Sequence, residues 1–196
     1  HKAPMTVTTS TSHQAAGARE EAQVSRLLTW LSVMAISFLI GIGSKAWFAG
    51  HHTHAWVLWS FVLLVAANMA YFAKSGNRSR QIGGLLSVVG LLFMYLIASG
   101  GESNTGPLWF YVFPPLLFFL TDLKTGTAVL LFCYLIAVVV FQFPGLPLIT
   151  AEYSMDFKIR FFATLTFESI LCFVLEASRL KARNELVELA ENHEYA

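Results

Sequence analysis

Ile159-Arg160-Phe161-Phe162-Ala163-Thr164-Leu165-Thr166-Phe167-Glu168-Ser169-Ile170-Leu171-Cys172-Phe173-Val174-Leu175 runs without a break into Glu176-Ala177-Ser178-Arg179-Leu180-Lys181-Ala182-Arg183-Asn184-Glu185-Leu186-Val187-Glu188-Leu189-Ala190-Glu191. The first half is almost wholly apolar; the second alternates charge with Ala, Leu and Val, and neither holds Pro or Gly. With no helix breaker at the change of composition, the pair predicts one continuous helix that leaves a bilayer and continues as a charged rod. Leu175, Ala182 and Leu189 are seven apart, with Leu186 between the last two. They are expected to form the seam of a short two-stranded coiled coil, with Arg179 and His193 at its less suitable positions, the alternative being a solvated helix end that pairs with nothing. The chain ends just past this helix, as expected of a receptor region separated from its output domain.

Working outward, the composition sets the class. Hydrophobic residues make up 56% of the 196 and charged residues 13%, against about 45–50% and about 25% in soluble domains. The expected fold is all-α, a polytopic integral membrane protein. A net charge of +1 and the absence of a dense basic tract give no sign of nucleic acid as a partner. Cys133 and Cys172 both lie inside apolar runs and read as small core hydrophobes.

Residues 1–21 are rich in Thr, Ser and Ala without apolar periodicity, and are expected to be a disordered tail. Its first four residues, ahead of Met5, read as an artificial remnant. Six apolar runs follow, at 27–48, 55–73, 82–99, 108–120, 127–143 and 159–175, each expected to be a transmembrane helix. They make residues 22–178 a six-helix membrane domain and leave 179–196 as a cytoplasmic helix. The fourth run is short and carries Pro114-Pro115. It must kink in mid-membrane or borrow length from residues 105–107.

Arg19, Arg26, Lys74, Arg78, Arg80, Lys124, Arg179, Lys181 and Arg183 all fall on one side of this layout. The opposite loops at 51–54, 100–106 and 144–156 hold no Lys or Arg, and Lys45, Lys158 and Arg160 sit at helix ends where they can snorkel. Both termini are therefore expected to be cytoplasmic.

Gly106-Pro107-Leu108-Trp109, then Phe113-Pro114-Pro115-Leu116-Leu117-Phe118-Phe119-Leu120, then Arg160-Phe161-Phe162, then Glu176-Ala177-Ser178-Arg179 resemble the six-helix membrane sensor region of bacterial diguanylate cyclases that carry a C-terminal GGDEF domain. The likeness spans residues 105–196; the first three helices agree only in number and length. It implies a homodimer in the bacterial inner membrane. It also implies a last helix that passes a signal to an output domain making cyclic di-GMP. This chain has no Gly-Gly-Asp/Glu-Glu-Phe sequence and no nucleotide-binding loop, so cyclase activity is not expected of it. Related membrane regions precede histidine kinases as well.

Polar groups within the apolar runs are candidate ligand contacts, because each is costly in lipid. Glu168 is the strongest, near the middle of the last run with Thr164 and Thr166 close by; it must be protonated, paired or wet. A hydrogen bond to a neighbouring helix, with Asn68 as a candidate partner, accounts for it equally well, and Asn68 and Gln142 carry the same ambiguity. Arg160 can bind an anionic group or snorkel. Trp109 and Tyr111, with Pro107, Phe110 and Phe113, form an aromatic mouth suited to a small, partly apolar ligand, or equally an interfacial belt. His51, His52 and His54 could share zinc, copper or a haem iron, with Glu102 adding a carboxylate; a plain interfacial loop is the stronger reading. No nucleophile elbow, phosphate loop, His-Glu-x-x-His helix or catalytic carboxylate pair is present. Three readings stay open: a sensory and dimerisation module, a small transporter or channel, and an intramembrane enzyme.

Overall fold

The computed structural model describes the backbone of residues 7–194 and the side chains of 14–193. The expected artificial remnant at residues 1–4 lies outside the described residues. Every regular element among the described residues is helical, and five helices are long and apolar enough to cross a membrane. The chain divides into two compact units, residues 1–77 and 78–196.

The first unit is a hairpin of α1 (Val7–Phe48) and α2 (His52–Ser75). Where a disordered tail to residue 21 is expected, α1 is already helical from Val7. The stretch lacks an apolar period, yet its Ala, Glu, Arg and Gln residues are good helix formers, and a helix already nucleated by the apolar run extends cheaply into them. The turn is a Schellman closure: His51 N–H donates to the Ala46 carbonyl at 2.9 Å and Gly50 N–H to Trp47 at 3.0 Å. Gly50 supplies the left-handed φ of +86° that this closure needs. Leu28, Leu39, Ala46, Ala55, Leu58 and Val65 are buried in the hairpin. Gly43 lets the Trp59 indole lie against α1, where a Cβ would come 2.8 Å from the ring Cδ1.

The second unit holds α3 (Arg78–Ser99), α4 (Phe113–Leu120), α5 (Leu123–Gln142) and α6 (Met155–Glu194). Between α3 and α4 the chain makes a short 3-10 turn at Glu102–Asn104 and a longer 3-10 segment at Gly106–Val112. The expected fourth transmembrane α-helix is thus half 3-10 and half α. Pro114 and Pro115 supply no N–H to the carbonyls four residues back and their rings clash with them, so the α-helix cannot extend upstream. The preceding residues wind more tightly, and Phe113 N–H donates to the Phe110 carbonyl in the i to i−3 pattern. Seven residues rising about 2.0 Å and eight rising about 1.5 Å reach about 26 Å, so the tighter winding recovers length that 15 α-helical residues would lack.

The α6 helix is unbroken over 40 residues, about 60 Å at 1.5 Å per residue. Its buried residues Phe161 and Leu165 sit on the stripe continued by half-buried Glu168, Cys172 and Glu176. Spacings of four, three, four and four place these on one face. From Lys181 to His193 every residue is exposed. The core at the opening end of α6 is aromatic: the Phe161 ring lies 5.2 Å from Phe141, 5.2 Å from Phe162, 5.4 Å from Tyr111 and 6.4 Å from Phe110. Phe93 and Phe113 extend the cluster toward α3 and α4, their rings 5.8 Å apart.

Candidate functional site

Tyr111 is drawn into this cluster rather than left at an open mouth. Its ring packs on Phe161, and its hydroxyl donates to the Phe161 carbonyl at 3.4 Å. The same hydroxyl lies beside Thr164 and within electrostatic reach of Glu168. The Tyr111 carbonyl is special for a reason visible in the chain: its i+3 and i+4 residues are Pro114 and Pro115, neither of which has an N–H to give. Trp109 remains 38% exposed on the 3-10 segment, and Arg160 is exposed on the first turns of α6.

Glu168 sits about two turns beyond Phe161 on the packed stripe of α6. Its Oε2 is buried without a hydrogen-bond partner, one turn before half-buried Cys172. An unpaired carboxyl oxygen in a protein interior is costly, which makes Glu168 the candidate position on this face of α6. Nearby hydroxyls are already engaged: Thr166 bonds the Phe162 carbonyl at 2.7 Å and Tyr134 at 3.0 Å, and Ser169 bonds Leu165 at 2.6 Å. Asn68 is half-buried on α2, in the other compact unit, and Gln142 is exposed at the end of α5.

The three histidines open α2. His51 occupies the N-cap position, and His52 packs edge-on against Trp47 with ring centroids 4.2 Å apart. Trp47 in turn stacks on Trp59 at 5.6 Å, so His52 and Trp47 close the hairpin turn. Among the described residues no three His, Cys, Asp or Glu side chains converge as a metal centre would require. On the coil side, Leu175 is 61% exposed, Leu186 68% and Leu189 58%. Arg179 is held by Glu176 at 2.8 Å, one turn back.

Sequence reasoning missed the loop between α5 and α6. It folds over the end of α3, where Thr150 and Ala151 N–H both donate to the Ala98 carbonyl at 3.0 Å and the Tyr153 hydroxyl donates to Ile97 at 2.5 Å. A cavity of about 190 Å³ results, lined by Val140, Phe141, Pro144, Ala151, Glu152, Tyr153 and Lys158. Lys158 read as a snorkelling cation and Glu152 as plain loop. Nothing in their spacing announces that a loop held by residues some fifty positions earlier brings them to one wall.

Among the described residues, fold and site together define an all-helical protein with helices suited to a membrane and a buried, unpaired carboxyl oxygen on the packed face of the last one. Comparison with protein-family models, with curated proteins and with solved structures finds no match.

Proposed function

We propose that this chain is a membrane-embedded sensory and dimerisation module that binds a small ligand and passes a signal along α6 to an output domain. In this reading the 3-10 and α4 segment completes six spans, both termini are cytoplasmic and the bacterial inner membrane is the location. The output that the resemblance implies is a diguanylate cyclase, which requires two catalytic domains across a two-fold axis and hence paired, parallel α6 helices.

The observation that carries the reading is the continuity of α6. A rigid 40-residue helix joins the aromatic cluster and Glu168 at one end to an exposed rod at the other, so a shift at the first is felt at the second. The rod leaves Leu186, Val187 and Leu189 each more than half exposed. These three residues supply the apolar side chains that a helical partner would cover. Fewer than three heptads make a weak seam, and a weak seam can change register or crossing angle for a few kcal/mol.

Single cysteines placed from 180 to 191 in a Cys133→Ala, Cys172→Ala background test the pairing. Disulfide crosslinking is expected to peak at Ala182, Leu186 and Leu189, several-fold above Lys181 and Glu188. A flat profile, or a monomer in both mild detergent and lipid discs, removes the mechanism and favours a transporter-like monomer. Topology has its own check: a cysteine at Ser103 is expected to react with an impermeant maleimide added outside cells, and one at Asn77 only after lysis. The reverse pattern overturns the orientation.

A further inference from the structure

The face of α6 that packs within the second unit and the seam along its exposed rod are a single stripe. Phe161, Leu165, Glu168 and Cys172 follow one another by four, three and four residues. From Cys172 the seam runs on through Leu175, Arg179, Ala182, Leu186 and Leu189 by three, four, three, four and three. No step is missed, and the helix is unbroken across the join. This alternation is the heptad repeat of a left-handed coiled coil, in which every member of the stripe looks toward the same partner helix.

The two halves of the stripe differ in what covers them. Phe161 and Leu165 are buried, and Glu168 and Cys172 are half-buried. The cover on this half comes from the chain itself. Phe110, Tyr111 and Phe141 surround the Phe161 ring, and Phe173, next to Cys172, meets Phe118 of α4 at 6.3 Å. From Leu175 to Leu189 every member of the stripe is exposed. A partner helix that follows the seam upward from Leu189 therefore loses its place at Cys172, because side chains already close-packed by one set of neighbours leave no holes for a second.

We propose that in the dimer the two α6 helices meet only beyond Cys172 and diverge above it, each held by its own second unit. This rests on the proposed pairing of α6 and fixes where the partner surface stops. It also gives the signal a place to act. Extending the coil upward by one heptad takes Cys172 and Glu168, so α6 must first leave its neighbours there; the unit and the partner copy compete for the same face. Glu168, whose buried Oε2 has no hydrogen-bond partner, makes the packed half costly close to that boundary.

Nitroxide labels on single cysteines, in a Cys133→Ala, Cys172→Ala background, measure the separation between copies of the whole chain in lipid discs. Phe167 and Glu188 hold the same heptad position, one before the stripe members Glu168 and Leu189. Leu171 and Glu185 are matched in the same way, before Cys172 and Leu186. All four side chains are exposed and off the stripe, so the labelled proteins are expected to keep the melting temperature of the background. In one continuous coil, matched positions give equal distances. Here the distance at Phe167 is expected to exceed that at Glu188 by at least half, and likewise Leu171 that at Glu185. A smaller excess, or none, overturns the boundary at Cys172 and leaves the dimer standing. Absence of spin coupling at all four positions overturns the boundary and the pairing of α6 together.

Discussion

Phe161→Ala is expected to cost about 2–3 kcal/mol of stability, somewhat below the about 3–5 kcal/mol usual for a buried phenylalanine in a soluble core. Phe161 is 1% exposed and its ring meets those of Phe110, Tyr111, Phe141, Phe157 and Phe162. Truncation in water loses two things, the transfer of the ring out of solvent and the contacts around the void left behind. If, as proposed, lipid is the alternative environment, the transfer part largely vanishes, because acyl chains are as apolar as the protein interior. The cavity part, about 24 cal/mol per Å³ of unfilled space, remains. Phe167, two turns on and 71% exposed, supplies the control: Phe167→Ala is expected to stay within about 0.5 kcal/mol. Unfolding by SDS titration in mixed micelles measures both. Equal losses for the two variants would mean that the aromatic cluster is not the core of the second unit.

What the sequence disclosed and what it hid divide along a physical line. The unbroken α6 is legible because continuity needs only the absence of Pro and Gly across the change from apolar to charged residues. Glu168 is legible as a costly polar group. Its place on the packed face also follows from its spacing to Phe161, Leu165 and Cys172. The proline pair is visible, but its effect on the residues before it is not. That effect depends on which i to i−3 donors survive, and the winding of 106–112 emerges only when those bonds are traced. Helix from Val7 onward was hidden because periodicity reports burial, and an exposed helix has none to report. Glu152, Tyr153 and Lys158 were hidden most thoroughly. Their cavity comes from hydrogen bonds to Ala98 and Ile97, and contacts over fifty residues leave no mark in local pattern.

Gly106→Ala is expected to destabilise the second unit by about 1–3 kcal/mol, the usual cost of overpacking, and to move the 3-10 segment away from α3. Gly106 N–H donates to the Gly100 carbonyl at 2.9 Å, and a Cβ at Gly106 would press on the Leu96 carbonyl oxygen and lie 2.9 Å from that of Gly100. Both obstacles are backbone, which cannot swing aside as a side-chain tip can. Relief requires the whole segment to shift, and it carries Pro107 and Phe110, both fully buried, with Phe110 against Phe93 at 6.3 Å. Gly90 gives the contrast that makes the test sharp. It lies within α3, and its added Cβ would meet only the Phe113 ring at 3.5 Å, an ordinary contact. Because alanine is favoured over glycine inside a helix by about 0.8–1.0 kcal/mol, Gly90→Ala is expected to stabilise. Two identical substitutions in one unit should therefore move the unfolding midpoint in opposite directions. Trp109 emission should change only for Gly106→Ala, since that residue rides on the displaced segment. A Gly106→Ala protein with the parent midpoint and unchanged Trp109 emission would show that the 3-10 segment does not approach α3 closely enough to need a glycine.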